Sequence, residues 1–129
     1  MDLTVLVPAY NEAESLPELA QWIDKVCISS SIDYELIIID DGSSDNTWEV
    51  LRQLSAKNER IRAVRFRRNY GKAAALQTGF EASAGDVVIT MDADLQDSPD
   101  EIPELVRMVR EEGYNIVSGW KKKRYDPFI

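Results

Sequence analysis

Residues 34–47 read Y-E-L-I-I-I-D-D-G-S-S-D-N-T, and the four consecutive apolar residues Leu36, Ile37, Ile38 and Ile39 decide the kind of layer they belong to. A strand with one wet face alternates apolar and polar side chains. An unbroken apolar run is instead buried on both faces, as in a parallel sheet covered by helices. The run ends on Asp40 and Asp41 and passes into turn formers, so polarity begins at the carboxyl end of the strand. Residues 87–96, V-V-I-T-M-D-A-D-L-Q, have the same form: an apolar run that stops on Asp92 and Asp94.

Strands and helices alternate outward from these two runs. The pattern predicts strands over 3–8, 34–40, 61–66, 87–91 and 115–118, and helices over 15–27, 47–57, 72–84 and 99–112. Ser15 with Glu18, and Ser98 with Glu101, match the capping box, and Pro99 falls where its missing N–H costs nothing. Gly85 and Gly113 suit helix stops. A βαβαβαβαβ order with right-handed crossovers specifies an α/β fold: a doubly wound, mainly parallel sheet with helices on both faces. Such sheets bind ligands beyond the carboxyl ends of their strands, near the switch point. The polar residues collect there: Pro8, Tyr10, Asn11 and Glu12 after the first strand, Asp40 to Ser43 after the second, Arg67 to Lys72 after the third, Asp92, Asp94 and Gln96 after the fourth, Trp120 and Lys121 after the fifth.

At 129 residues the chain has the size of one domain with a sizeable core. No apolar run approaches a bilayer-spanning length, and Met1-Asp2 lead into a strand without the basic region of a signal peptide, so a cytoplasmic setting is expected. The single Cys27 lies in a helical pattern in a chain without histidine, which makes it a core residue rather than a nucleophile. A net charge of −8 argues against general nucleic-acid binding. Positive charge gathers in Arg60, Arg62, Arg65, Arg67, Arg68 and Lys72 and again in Lys121 to Arg124; each run is either a solvated face or a phosphate-facing one.

Asp92 and Asp94 require water, a donor or a cation, and their hard oxygens suit Mg²⁺ or Mn²⁺, with the Gln96 carbonyl as a further ligand. Acidic pairs and basic residues on one rim fit a nucleotide diphosphate. Its phosphates would be neutralised by the metal and by a lysine or arginine, while Asp41 accepts from a base N–H or Asp92 from a ribose hydroxyl. Each residue has a structural alternative. Asp40 and Asp45 suit capping of the turn and helix that follow, the better reading for Asp45, and Tyr10 suits either packing or stacking on a base. Lys72 opens a helix, the wrong end for a cation, which favours a ligand role.

V-P-A-Y-N-E, I-I-I-D-D-G-S-S-D-N-T, R-N-Y-G-K-A-A-A-L-Q-T-G-F, M-D-A-D-L-Q-D and V-S-G-W-K-K-K-R, in this order over nearly the whole chain, resemble a family 2 glycosyltransferase. The branch resembled contains dolichol-phosphate mannose synthase and bacterial polyprenyl-phosphate glycosyltransferases. The resemblance implies a GT-A nucleotide-sugar-binding half in which Pro8, Tyr10, Glu12, Ile39 and Asp41 hold the nucleotide. Asp92, Ala93, Asp94 and Gln96 would then lie at the metal and diphosphate. Lys121 stands where the family usually has an arginine near the phosphates, keeping the charge but losing the bidentate fork.

The implied reaction is inverting transfer of a hexose from a donor of the UDP-glucose or GDP-mannose type to polyprenyl phosphate, with Asp94 and Lys121 in the catalytic group. Members of the branch continue past the Asp-Pro pair matched by Asp126 and Pro127, so the resemblance implies a donor-binding part ending before an acceptor segment. It places the full-length protein at the cytoplasmic face of a membrane, and surface left exposed by a missing half gives such a fragment a route to a homo-oligomer. Two other readings remain at this level: a nucleotide-sugar-binding module without turnover, and a Mg²⁺-binding receiver domain, against which stands an acidic pair after the second strand rather than the first.

Overall fold

The apolar run at 36–39 is buried on both faces, and the sheet is built around it. The computed structural model describes residues 1–112, 116–117 and 127–128. In chain order the elements are β1 (Leu3–Ala9), α1 (Leu16–Ser29), β2 (Tyr34–Asp40), α2 (Thr47–Lys57), β3 (Ile61–Arg65), α3 (Lys72–Ala82), β4 (Val87–Thr90), α4 (Ile102–Glu112), β5 (Ile116–Val117) and β6 (Pro127–Phe128). A 3-10 turn, Pro99–Glu101, leads into α4, with the Ser98 side chain accepting from the Asp100 N–H.

The sheet order is β3-β2-β1-β4-β5-β6. Strands β1 to β5 are parallel, and β6 runs antiparallel to β5, a strand the periodicity did not announce. The chain builds outward from β1 to β3 and then returns to the other side of β1, which puts the switch point between β1 and β4. A receiver domain has the order 2-1-3-4-5 and a different switch point, so this topology removes that alternative.

On one face Val5, Val7, Leu36, Ile38 and Ile89 pack with Leu16, Leu19, Ile23, Leu51 and Leu105 of α1, α2 and α4. On the other, Leu6, Ile37 and Ile39 pack with Ala75, Leu76 and Phe80 of α3. Cys27 is fully buried in the first cluster, and that burial pushes its thiol up to about 12, as expected of a core residue. Among the described residues no helix is long and apolar enough to cross a membrane.

Two local expectations change. The helix expected to run to residue 84 stops at Ala82, and its cap is Ser83 rather than Gly85. Gly85 instead passes close to β1: a Cβ there would lie 2.4 Å from the Thr4 nitrogen and 2.5 Å from the Leu3 carbonyl carbon. The approach is fixed by a buried network in which the Glu35 carboxylate accepts from the Thr4 hydroxyl and the Ala84 N–H, both at 2.7 Å, while the Gly85 N–H donates to Thr4 at 2.9 Å. The second change is at Ser15, whose side chain makes no cap to α1.

Candidate functional site

Where β1 and β4 part, a cavity of about 180 Å³ is lined by Pro8, Ala9, Tyr10, Glu12, Asp41, Lys72, Asp92, Ala93 and Asp94. Eight of these nine were singled out in the sequence, and Ala9 is the addition. They arrive from the carboxyl ends of β1, β2 and β4 and from the first residue of α3. The volume is below the roughly 300–1,000 Å³ of a complete ligand pocket, so a nucleotide-sized ligand would fill it and extend over the rim.

Asp41 is buried and its carboxylate organises the opposite wall. Oδ1 accepts from the Tyr70 N–H at 2.8 Å and Oδ2 from the Gly71 N–H at 3.0 Å, which fixes the loop that delivers Lys72. Tyr10 remains 47% exposed, so its ring is not consumed by packing. Glu12 is set by its N–H donating to the Thr47 hydroxyl at 3.1 Å.

The loop after β4 is held from three directions. The Asp92 N–H donates to the buried Asp97 carboxylate at 2.9 Å, the Gln96 N–H donates to Asp94 Oδ1 at 3.2 Å, and the Ser15 hydroxyl donates to the Ala93 carbonyl at 2.5 Å. Leu95 takes a positive φ of 66° to close this turn. Lys72 Nζ lies 2.9 Å from Asp92 Oδ1. The cation at the unfavourable end of α3 therefore answers a carboxylate across the cavity rather than its own helix.

Other residues singled out in the sequence stand behind the cavity. Asn11, at φ 54°, accepts from the Ser44 N–H at 2.8 Å and the Asp45 N–H at 3.2 Å, clamping the end of β1 to the 43–45 turn. Asp40 is buried and accepts from the Ser43 N–H at 3.0 Å, while its Oδ2 has no hydrogen-bond partner among the described residues. Ile39 lies in the α3-side core. Gln96 enters through its backbone N–H to Asp94. Asp45, one residue before the Asn46 N-cap of α2, accepts from the Thr47 N–H at 2.9 Å, and the Thr47 hydroxyl beside it holds its carboxyl below the usual range. Lys121, Trp120 and the Lys122–Arg124 run lie outside the described residues.

Ser15 and Asp97 are positioning residues that sequence reasoning missed. For Asp97 the signal was present, as a third aspartate three residues after Asp94 in M-D-A-D-L-Q-D.

Among the described residues the lining holds four carboxylates, from Glu12, Asp41, Asp92 and Asp94, against one ammonium. That excess and the hard oxygens of Asp92 and Asp94 fit a divalent cation. No group of three or more metal-binding side chains converges among the described residues, so the remaining ligands would come from a bound anion and water.

A family model described as glycosyl transferase family 2 matches residues 4–128. Among solved structures, the mannosyltransferase PcManGT from Pyrobaculum calidifontis, in complex with GDP-Man and Mn²⁺, is 28% identical with a TM-score of 0.69; the match covers 84% of this chain and 32% of that one. Glucosyl-3-phosphoglycerate synthase of M. tuberculosis is also 28% identical, with a TM-score of 0.63, covering 84% of this chain and 40% of that one. TarS of S. aureus, at 19% identity and a TM-score of 0.72 over 88% of this chain and 33% of that one, shares the fold. The chain thus spans between about a third and two fifths of the length of these proteins.

Proposed function

The chain belongs to glycosyl transferase family 2, and from that premise we propose that it transfers a hexose from a nucleotide diphosphate sugar to a polyprenyl phosphate, with a divalent metal and with inversion at the anomeric carbon. Residues 1–129 are assigned the donor-binding part. The observation that carries the reading is the convergence of Tyr10, Asp41, Lys72, Asp92 and Asp94 on one cavity at the switch point. The GDP-Man and Mn²⁺ held by a 28% identical structure support a donor and metal of this kind.

In this reading Asp41 and Tyr10 receive the base and ribose end, and Lys72 reaches the diphosphate. Asp92 and Asp94 would hold Mg²⁺ or Mn²⁺, which would supply positive charge to the departing diphosphate. Asp97 and Ser15 keep the two aspartates in place. Lys121 is assigned to the same phosphates on the motif alone. A phosphate acceptor is already anionic, so the chemistry needs orientation and leaving-group stabilisation more than proton abstraction. Transfer to a membrane-embedded acceptor places the reaction at the cytoplasmic face of a membrane.

Calorimetric titration of UDP-glucose, GDP-mannose, UDP and GDP into the protein, with and without Mn²⁺, tests the donor site. Metal-dependent binding of one nucleotide series is expected, and its absence from both removes the donor reading. Transfer of labelled sugar to polyprenyl phosphate tests the acceptor, and a product that keeps the donor's anomeric configuration overturns inversion.

A further inference from the structure

The basic run from Arg60 to Lys72 divides in two. Arg60 pairs with Asp33 at 2.7 Å, Arg62 with Glu35 at 3.4 Å and Lys72 with Asp92 at 2.9 Å. Arg65, Arg67 and Arg68 have no carboxylate partner among the described residues, although the chain carries 23 acidic residues against 15 basic ones. Composition alone would neutralise them, so their isolation is a local property of the fold.

Two of these arginines line a second cavity. Arg65, Phe66 and Arg67 enclose about 290 Å³ with Gly42 and Ser43, the residues that follow Asp41 of the donor cavity. Its walls are constrained. The Arg65 guanidinium lies 5.5 Å from the ring centroid of Trp48 on α2. Gly42, at φ 73°, is pressed so closely on the next loop that a Cβ would lie 2.2 Å from the Arg68 carbonyl carbon. Ser43 Oγ accepts from the Asn11 N–H at 2.8 Å, which leaves the hydroxyl proton to donate.

We propose that this cavity binds a phosphate group, at a site separate from the donor diphosphate site. Two guanidiniums match the double charge of a phosphate dianion, and each offers a fork that meets phosphate oxygens in pairs. The Ser43 hydroxyl adds a neutral donor. The space exceeds that of a bare phosphate, so the ligand class includes phosphomonoesters. The same chemistry is offered by a soluble phosphate and by the monoester headgroup of an anionic lipid.

The test follows amide NMR shifts of the 129-residue protein during titration with inorganic phosphate, with EDTA present. Saturable shifts centred on Gly42, Ser43 and Arg65 to Arg67 are expected. Affinity should fall at least tenfold in R65Q/R67Q and stay within twofold in K72Q, with unchanged thermal midpoints excluding a folding defect in these exposed side chains. A nucleotide diphosphate with Mn²⁺ should not displace the phosphate. Co-sedimentation with vesicles of phosphatidic acid, against vesicles of phosphatidylcholine alone, separates the sources. Arginine-dependent binding to the phosphatidic acid vesicles assigns the headgroup; arginine-dependent binding of free phosphate without vesicle binding assigns a soluble ligand. Loss of binding in K72Q but not in R65Q/R67Q, displacement by the nucleotide, or binding of neither probe overturns the proposal.

Discussion

Asp92 and Asp94 sit one residue apart and are held differently. Asp92 faces Lys72 at 2.9 Å, whereas Asp94 accepts from the Gln96 N–H at 3.2 Å. Asp94→Asn removes one of the two carboxylates assigned to the metal. The gain in nucleotide diphosphate affinity on adding Mn²⁺ should therefore fall at least tenfold, read by calorimetry with and without the ion, and an undiminished gain would remove Asp94 from the metal site. Lys72→Gln acts with opposite sign on the two ligands, because an ammonium attracts phosphate and repels a cation. Diphosphate affinity should drop several-fold, while affinity for Mn²⁺ alone, measured by electron paramagnetic resonance, should not drop; a parallel fall in both would mean that Lys72 only shapes the cavity. The acidic residues at this scale were legible because each ends an apolar run. Asn11 and Asp40 share that position yet serve the backbone around them, since which side of a turn a short polar side chain meets depends on its φ and on a partner strand. An asparagine two residues past the end of a strand, a residue suited to positive φ, was the available sign.

Helix starts show where local rules give way to distant contacts. Ser15 satisfies the capping-box spacing, but its hydroxyl is drawn to the Ala93 carbonyl, 78 residues away, and no spacing rule encodes that. Ser15→Ala should lower stability by about 1 kcal/mol, the usual net worth of one hydrogen bond, and also weaken Mn²⁺ binding by loosening the loop after β4. A stability loss with unchanged metal affinity would confine Ser15 to packing. The helix expected from residue 99 opens instead with a 3-10 turn, in which Ser98 accepts from the Asp100 N–H rather than forming the expected box with Glu101, and Glu101 acquires a cost there. Its Oε2 is buried without a hydrogen-bond partner among the described residues, and desolvation, with the nearby Asp97 charge second, holds its carboxyl above the ordinary value of 4.5. A carboxyl raised in the folded state contributes stability below its unfolded value and loses it as pH rises through the folded one. Glu101→Gln should therefore raise the thermal midpoint at pH 7, with a gain that shrinks as pH falls toward 4.5; a pH-independent gain would point to helix propensity instead.

Over the whole molecule, the unbroken apolar strands dictated a sheet covered on both faces, and the alternation of elements dictated its parallel core. The strand order was not legible, because periodicity shows which faces are buried but not which strands are neighbours. That order matters for stability, since the switch between β1 and β4 assembles the cavity from the ends of strands that are remote in the chain. The unfolded chain cannot present Tyr10, Asp41, Lys72, Asp92 and Asp94 together, so a ligand spanning them binds the native state alone. At a hundred times its Kd such a ligand stabilises by about 2.7 kcal/mol, which for a domain of this size raises the thermal midpoint by roughly 5–10 °C. GDP or UDP with Mn²⁺ should produce that rise. With EDTA the rise should largely vanish, because four lining carboxylates then oppose the diphosphate and Lys72 is the one lining cation among the described residues. Scanning calorimetry of the protein with nucleotide diphosphate, in the two conditions, decides the matter: an equal rise in both would show that Lys72 suffices and the metal is dispensable for binding, and no rise in either would separate the cavity from nucleotide binding altogether.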